Sequence, residues 1–256
     1  LLQALYGRNG ESPMPVIAAL SPTDCFDAAY QAAKMALEHL TPVILLTDAY
    51  IANGSAAWRL PKIEELPPIE LNRPPIELKD NFQPYKRNPW TYAPYWAVPG
   101  QEGYQHIIGG LEKQDVTGVI STNPQNHDMM CHLRREKLEK YKVPNVPILG
   151  DKDDAELLLI GFGGTFGHLH AVMDKLRNEG HKVALAQLEY IYPLPENIVW
   201  QTTKYPMVAV VEQNNGQLAS YLRANNANTM CKINEITGQP LNVGEIIEHL
   251  KIICKW

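Results

Sequence analysis

Apolar residues in this chain gather in short unbroken runs separated by polar, glycine-bearing or proline-bearing corners. Pro15 to Leu20 (PVIAAL) and Val43 to Thr47 (VILLT) do not alternate with polar residues, which is the pattern of strands buried on both faces of a parallel sheet. Between them Ser21-Pro22-Thr23-Asp24 has the form of a helix start, with a cap, an early proline and an acid. Phe26, Ala29, Ala33, Ala36, Leu37 and Leu40 then recur at helical spacing. Thr41-Pro42 ends the helix, because proline disfavours helical geometry in the residue before it. A right-handed crossover makes the two strands parallel. Asp48 then falls at the carboxyl end of the second strand, where open α/β sheets meet ligands. One βαβ unit cannot cover both faces of a sheet, so further strands are expected, upstream of Leu1.

The last hundred residues repeat this alternation. Glu156 to Ile160 reads as a buried strand and Gly161 to Gly167 (GFGGTFG) as a loop. Phe166 to Asn178 reads as a helix closed by Gly180, and Lys182 to Leu188 as a strand. A corner at Pro193 to Pro195 precedes a short helix, the strand Met207 to Val211, a helix from near Gly216 and a last helix over Val243 to Ile253. The class is α/β, with a mostly parallel sheet and helices on both faces. No internal repeat of fixed period is present.

The middle of the chain breaks the pattern. Prolines recur at 61, 67, 68, 74, 75, 84, 89, 94 and 99, a density that forbids helix or central strand and favours a semi-rigid extended path. Trp58, Trp90 and Trp96 belong to this stretch, and so many aromatics predict a strap lying on a surface. Gln101 to Thr122 is glycine-rich and polar, a loop or hairpin; Asn123 to Tyr141 reads as a helix with Pro124 near its start; Val143 to Gly150 reads as a second linker.

Composition narrows the function classes. The chain has 256 residues, 45% hydrophobic and 20% charged, with net charge −5, room for two modest folded domains. It gives no basic footprint for nucleic acid. The basic cluster Arg134 to Lys142 alternates with acids and reads as a solvated helix face. No apolar run reaches the roughly 18 residues of a membrane span. LLQALYGRNG is too short and polar for a signal peptide and reads as the tail of an amphipathic helix continuing from upstream. Cys25, Cys131, Cys231 and Cys254 are dispersed, which offers no zinc or iron–sulfur ligand set and fits a reduced cytoplasmic setting.

Candidate chemistry is sparse. GFGGTFG follows a strand and opens a helix, so its N–H groups could cradle a phosphate, with Glu189 after the next strand for a ribose. Its spacing, G-x-G-x-x-x-G, is one residue longer than the dinucleotide fingerprint, and a tight strand-to-helix turn is the alternative. His168 and His170 are two apart on a helix and point to different faces. His127 and His132 are five apart and equally ill-suited to chelation, so surface or capping roles are expected for all four. No nucleophile elbow surrounds a serine, and Glu212 to Gln217 (EQNNGQ) reads as a site-like strand end or as a turn with a helix cap. The loop from His106 to Gly118, carrying Lys113 and Asp115 between glycines, is either a solvent hairpin or a flap over a neighbouring cleft.

GRNGESP at Gly7 to Pro13, SPTDCFDAAYQAAK, TPVILLTDAYIANG, IGGLEKQDVTG, NHDMMCHLRREK and VVEQNNGQL together resemble the alpha subunit of 2-oxoacid:ferredoxin oxidoreductases, in particular the 2-oxoglutarate type. The resemblance runs over nearly the whole chain. It implies the C-terminal part of a thiamine-diphosphate pyrimidine-binding domain over 1–60, a strap, loop and helix over 61–150, and a transketolase C-terminal-like domain over 151–256. It implies oxidative decarboxylation of a 2-oxoacid to its acyl-CoA with electrons passed to ferredoxin. Thiamine diphosphate and Mg²⁺ belong to the full complex, and a beta subunit with an iron–sulfur cluster is the partner; self-association is also implied. The glutamate that activates the aminopyrimidine and the arginine segment that grips the 2-oxoacid have no counterpart here. The chain alone is therefore expected to bind no cofactor and to be inactive. Asp48, His106, Lys113 and Asp115 are the residues placed near a composite active site. The alternatives are a nucleotide-binding domain using GFGGTFG and a subunit-assembly module.

Overall fold

The apolar runs do become strands, but they divide between two sheets that share one core. The computed structural model describes residues 1–228 and 230–256. Strands β1 (Val16–Ala18) and β2 (Ile44–Leu46) pair in parallel across helix α2 (Cys25–His39), which follows the short helix α1 (Leu2–Tyr6). The other neighbour of β1 comes from downstream: β6 (Tyr190–Tyr192) pairs with it antiparallel, giving the order β2-β1-β6. The larger sheet has the order β3-β5-β4-β7-β8, from β3 (Ile148–Gly150), β4 (Leu157–Phe162), β5 (Val183–Leu188), β7 (Met207–Glu212) and β8 (Cys231–Asn234). All its pairings are parallel except that of β3 with β5.

Alternation along the strands assigns the two faces. Leu157, Leu159, Val183, Leu185, Ala209 and Val211 pack against α5 (Phe166–Asn178) and α8 (Val243–Cys254). Leu158, Ile160, Ala184, Ala186, Leu188, Val208 and Val210 pack against α6 (Glu196–Lys204) and α7 (Gln217–Ala224). The second group is continuous with Val16, Ala18 and Ile191 of the smaller sheet, so one hydrophobic core spans both. Helix α5 buries Leu169, Val172, Met173 and Leu176, each contributing about 1.5–3 kcal/mol. Gly180, at φ 97°, turns the chain out of that helix, a conformation glycine adopts without strain.

Three expectations from the sequence are corrected. Helix α2 buries Ala28, Ala32, Met35 and His39 rather than the stripe from Phe26 to Leu40. Of the expected stripe, Phe26 meets the strap, with Trp58 packed on it at 5.5 Å between ring centroids, while Ala29 and Ala33 are exposed; the Trp96 indole N–H donates to the Leu37 carbonyl, and the Tyr30 hydroxyl donates to the Pro67 carbonyl at 2.7 Å. Ile148–Gly150 is not linker but edge strand β3, with Gly150 at φ 76° turning the chain at its end. Ser21 to Asp24 forms a hydrogen-bonded turn ahead of α2, and the Asp24 carboxylate accepts from the Leu20 amide instead of capping the helix.

Helix α4 (Pro124–Glu139) follows its expected start: Asn123 caps it by accepting from the amides of Gln125 and Asn126, with Pro124 in the first turn. Helix α3 (Ala49–Asn53) is a short turn after β2, capped by Asp48.

Candidate functional site

The carboxyl ends of β2 and β4 meet at Asp48. Its Oδ1 accepts from the Ile51 amide at 3.0 Å, closing the first turn of α3. Its Oδ2 accepts from the Gly164 amide at 2.6 Å, in the turn between β4 and α5. A Cβ at Gly164 would lie 2.4 Å from that oxygen, so only glycine lets the carboxylate approach so closely. Thr165 Oγ1 donates to the Phe162 carbonyl at 2.8 Å, and Gln187 Nε2 reaches both the Gly163 carbonyl and Thr165 Oγ1 at 3.1 Å. The Gly164 N–H of the GFGGTFG loop is therefore satisfied from within the protein. A side-chain carboxylate already holds the backbone N–H that a phosphate would need, which disfavours the dinucleotide reading.

Glu189 does not stand free for a ribose either. Burial, and then the negative charges of Asp24 and Asp27, push its carboxyl up to about 7. It lines a mostly apolar pocket of about 290 Å³ with Leu20, Phe166 and Pro147. His168 packs its ring on Tyr50 at 4.8 Å, and His170 pairs with Asp174 at 3.1 Å, separate contacts on separate faces. Glu212, fully buried, accepts from the amides of Leu218 and Ala219 at 2.6 and 3.0 Å and so caps α7. EQNNGQ is thus a turn and helix cap.

His106, Lys113 and Asp115 lie on the loop between the strap and α4. The Lys113 side chain is only 3% exposed and donates to the carbonyls of Gly109 and Leu111, the second at 2.7 Å. Asn126 in the first turn of α4 accepts from the Asp115 amide at 3.1 Å and donates to the Lys113 carbonyl at 3.0 Å. The Asp115 carboxylate lies 3.5 Å from Arg87 Nε; burial pulls the Arg87 guanidinium below its usual range and Asp115 opposes that. His106 Nδ1 meets the Tyr104 carbonyl at 2.9 Å, with its ring edge-on to Phe82. Lys113 and Asp115 are thus gathered around Asn126, whereas Asp48 is bound to Ile51 and Gly164. The loop is less polar than its charged residues suggest, because Ile107, Ile108, Leu111, Val119 and Ile120 all point outward, Ile108 70% exposed.

One residue the sequence did not single out organises the other side of this loop. Glu112 bridges two side chains of α4, with Oε2 at 2.8 Å from His127 Nδ1 and Oε1 at 3.2 Å from Arg134 Nη1. Burial works against its ionisation, yet the hydrogen bonds from His127 and Arg134 hold its carboxyl below the ordinary value. His127 and Cys131 then line a cavity of about 750 Å³ with Tyr6, Arg135, Tyr192 and Tyr221. The four-residue interval from His127 to Cys131, one helical turn, was the available signal. His132, expected at the surface, is half-exposed and lies 3.7 Å from Asp128. Lys137 is buried, donates to the Leu40 carbonyl at 3.1 Å and is pulled down to about 8 by burial and by Arg87 and Arg134. It closes the C-terminus of α2. Among the described residues no three His, Cys, Asp or Glu side chains converge as a metal set, and no helix is long and apolar enough to cross a membrane.

Two α/β units sharing one core make up a fold that known proteins also have. Residues 1–125 match the family described as pyruvate flavodoxin/ferredoxin oxidoreductase, thiamine diP-bdg, and residues 155–246 match pyruvate:ferredoxin oxidoreductase core domain II. Together the two matched segments take in most of the chain, which belongs to the alpha-subunit family of 2-oxoacid:ferredoxin oxidoreductases. It is 44% identical, over 96% of its length, to 2-oxoglutarate oxidoreductase subunit KorA of Mycobacterium tuberculosis, and 29% identical to subunit alpha of 2-oxoacid:ferredoxin oxidoreductase 2 of Aeropyrum pernix. It superposes with a TM-score of 0.87 and 25% identity, over 99% of its length, on 2-oxoglutarate:ferredoxin oxidoreductase from Magnetococcus marinus with 2-oxoglutarate, coenzyme A and succinyl-CoA bound. The chain spans 37%, 40% and 44% of these three proteins.

The family model matched by residues 1–125 is described as thiamine-diphosphate-binding. At the strand ends Asp48 is committed to two amides and the loop N–H to Asp48. These side chains supply neither a diphosphate cradle nor a free carboxylate aimed into a cavity.

Proposed function

We propose that this chain is the C-terminal part of the alpha subunit of a cytoplasmic 2-oxoglutarate:ferredoxin oxidoreductase, which oxidatively decarboxylates its 2-oxoacid to the acyl-CoA and passes electrons to ferredoxin. The observation that carries this reading is the 44% identity sustained along 96% of the chain, together with a fold in which both matched family segments share one core. In this reading residues 1–60 end the pyrimidine-binding domain, 61–150 tie the domains together, and 151–256 form the transketolase C-terminal-like domain. Thiamine diphosphate, Mg²⁺ and coenzyme A serve the assembled enzyme, and a beta subunit contributes the iron–sulfur cluster.

The loop bearing His106, Lys113 and Asp115 is the partner-facing edge of the composite active site. Its outward apolar side chains support this, since an exposed apolar patch rimmed by polar groups marks an interaction surface. Asp48 acts there indirectly, by fixing the strand ends. The test is turnover with 2-oxoglutarate, coenzyme A and oxidised ferredoxin. The full-length subunit with its partner is expected to react and the 256-residue chain alone is not. Turnover by the chain alone overturns the proposal.

A further inference from the structure

Helix α4 and the loop before it assemble four reactive side chains that the reading above does not use. His127 Nδ1 sits 2.8 Å from a Glu112 oxygen. A carboxylate only accepts, so that nitrogen carries the proton and Nε2 is left as an acceptor. Nε2 faces Cys131 Sγ at 3.7 Å, one helical turn on. From the other side Arg134 Nη2 donates to the same sulfur at 3.1 Å. Glu112, His127 and Cys131 thus stand as orienter, base and nucleophile, and a guanidinium is positioned to stabilise the thiolate.

None of the other cysteines has this setting. Cys25 donates to the Ser21 carbonyl beside the acids Asp24 and Asp48. Cys231 lies against Met207, and Cys254 is one of the partly buried groups packed on the core formed by α5 and α8. Cys131 alone lines, with His127, the cavity of about 750 Å³ whose other walls include Tyr6, Tyr192 and Tyr221. That volume suits a ligand of small-molecule size, larger than a peroxide needs.

We propose that Cys131 is a base-activated thiol that forms a mixed disulfide with a low-molecular-weight disulfide seated in this cavity. His127 Nε2 takes the Cys131 proton. The thiolate attacks one sulfur of the disulfide, the S–S bond breaks and a new bond to Cys131 forms. The second sulfur leaves with the electron pair and receives the proton from His127. The Cys131 sulfur is oxidised and the departing thiol is the reduced product.

The test uses the full-length subunit. Iodoacetamide alkylation, followed by peptide mass spectrometry, is expected to modify Cys131 at least about 10-fold faster than Cys25, Cys231 or Cys254, as proton removal by His127 requires. Glutathione disulfide is expected to add one glutathionyl group there. His127→Gln is expected to slow both reactions about 10-fold while leaving the other cysteines unchanged, and Glu112→Gln to slow them less. His127 is exposed, so its substitution leaves the fold intact, and an unchanged melting temperature verifies this. Equal reactivity of the four cysteines, or an unaltered rate in His127→Gln, overturns the proposal. Fast alkylation without a mixed disulfide overturns the assigned substrate class.

Discussion

The Asp48 carboxylate accepts the Gly164 amide at 2.6 Å across 116 residues of sequence, joining the end of β2 to the turn between β4 and α5. The same carboxylate closes the first turn of α3 through Ile51. Asp48→Ala removes a helix cap worth about 1 kcal/mol and a hydrogen bond to a charged acceptor worth about 1.5–3 kcal/mol. Gly164→Ala forces the carboxylate away by steric overlap. Denaturant unfolding should therefore show both variants destabilised. Gly164→Ala should cost distinctly less in the Asp48→Ala background than alone, as coupled residues do. Additive losses would mean the two residues act separately.

Glu189 gives the fold a pH dependence of known sign. Its folded value, about 7, lies above the ordinary 4.5, so its protonated form is the one the fold prefers. That stability is fully present below about 4.5 and is lost as pH rises through about 7. Glu189→Gln keeps the shape without the titration. Its melting temperature should match that of the wild-type chain at about pH 4 and exceed it at about pH 8. A variant that melts lower at the alkaline end would contradict the assignment of burial as the cause.

Glu212 is a structural carboxylate. It is fully buried and holds two amides at the start of α7. Glu212→Ala strands both donors at about 1–3 kcal/mol each. Glu212→Gln keeps one good acceptor and should lose about half as much. Thermal unfolding ranks the two, and equal losses would indicate that volume, not hydrogen bonding, matters there.

The outward apolar face of the loop before α4 predicts a separation of stability from assembly. Ile108→Glu with Leu111→Glu alters side chains 70% and 67% exposed, so the melting temperature should stay unchanged. Affinity for the partner subunit should fall at least about 10-fold, or 1.4 kcal/mol, in a titration of one subunit with the other. Unaltered affinity would remove this loop from the interface.

Periodicity and capping chemistry are local, and they determined most elements directly. The runs PVIAAL and VILLT became parallel β1 and β2, Phe166 to Asn178 became α5, and Asn123-Pro124 started α4, because burial on two faces and cap hydrogen bonding act within a few residues. What no local pattern could hold is which distant group satisfies an exposed backbone N–H or an apolar stripe. In helix α2 tertiary packing decided that Met35 faces the sheet while Phe26 meets Trp58. The same holds for β3 and β6, runs of three residues that become strands only because β5 and β1 offer unpaired edges. Tertiary structure also placed Asp48 in the glycine loop and Glu112 between His127 and Arg134. These contacts are set by where the two sheets and the loop come to rest, a relation between distant positions that one-dimensional spacing does not carry.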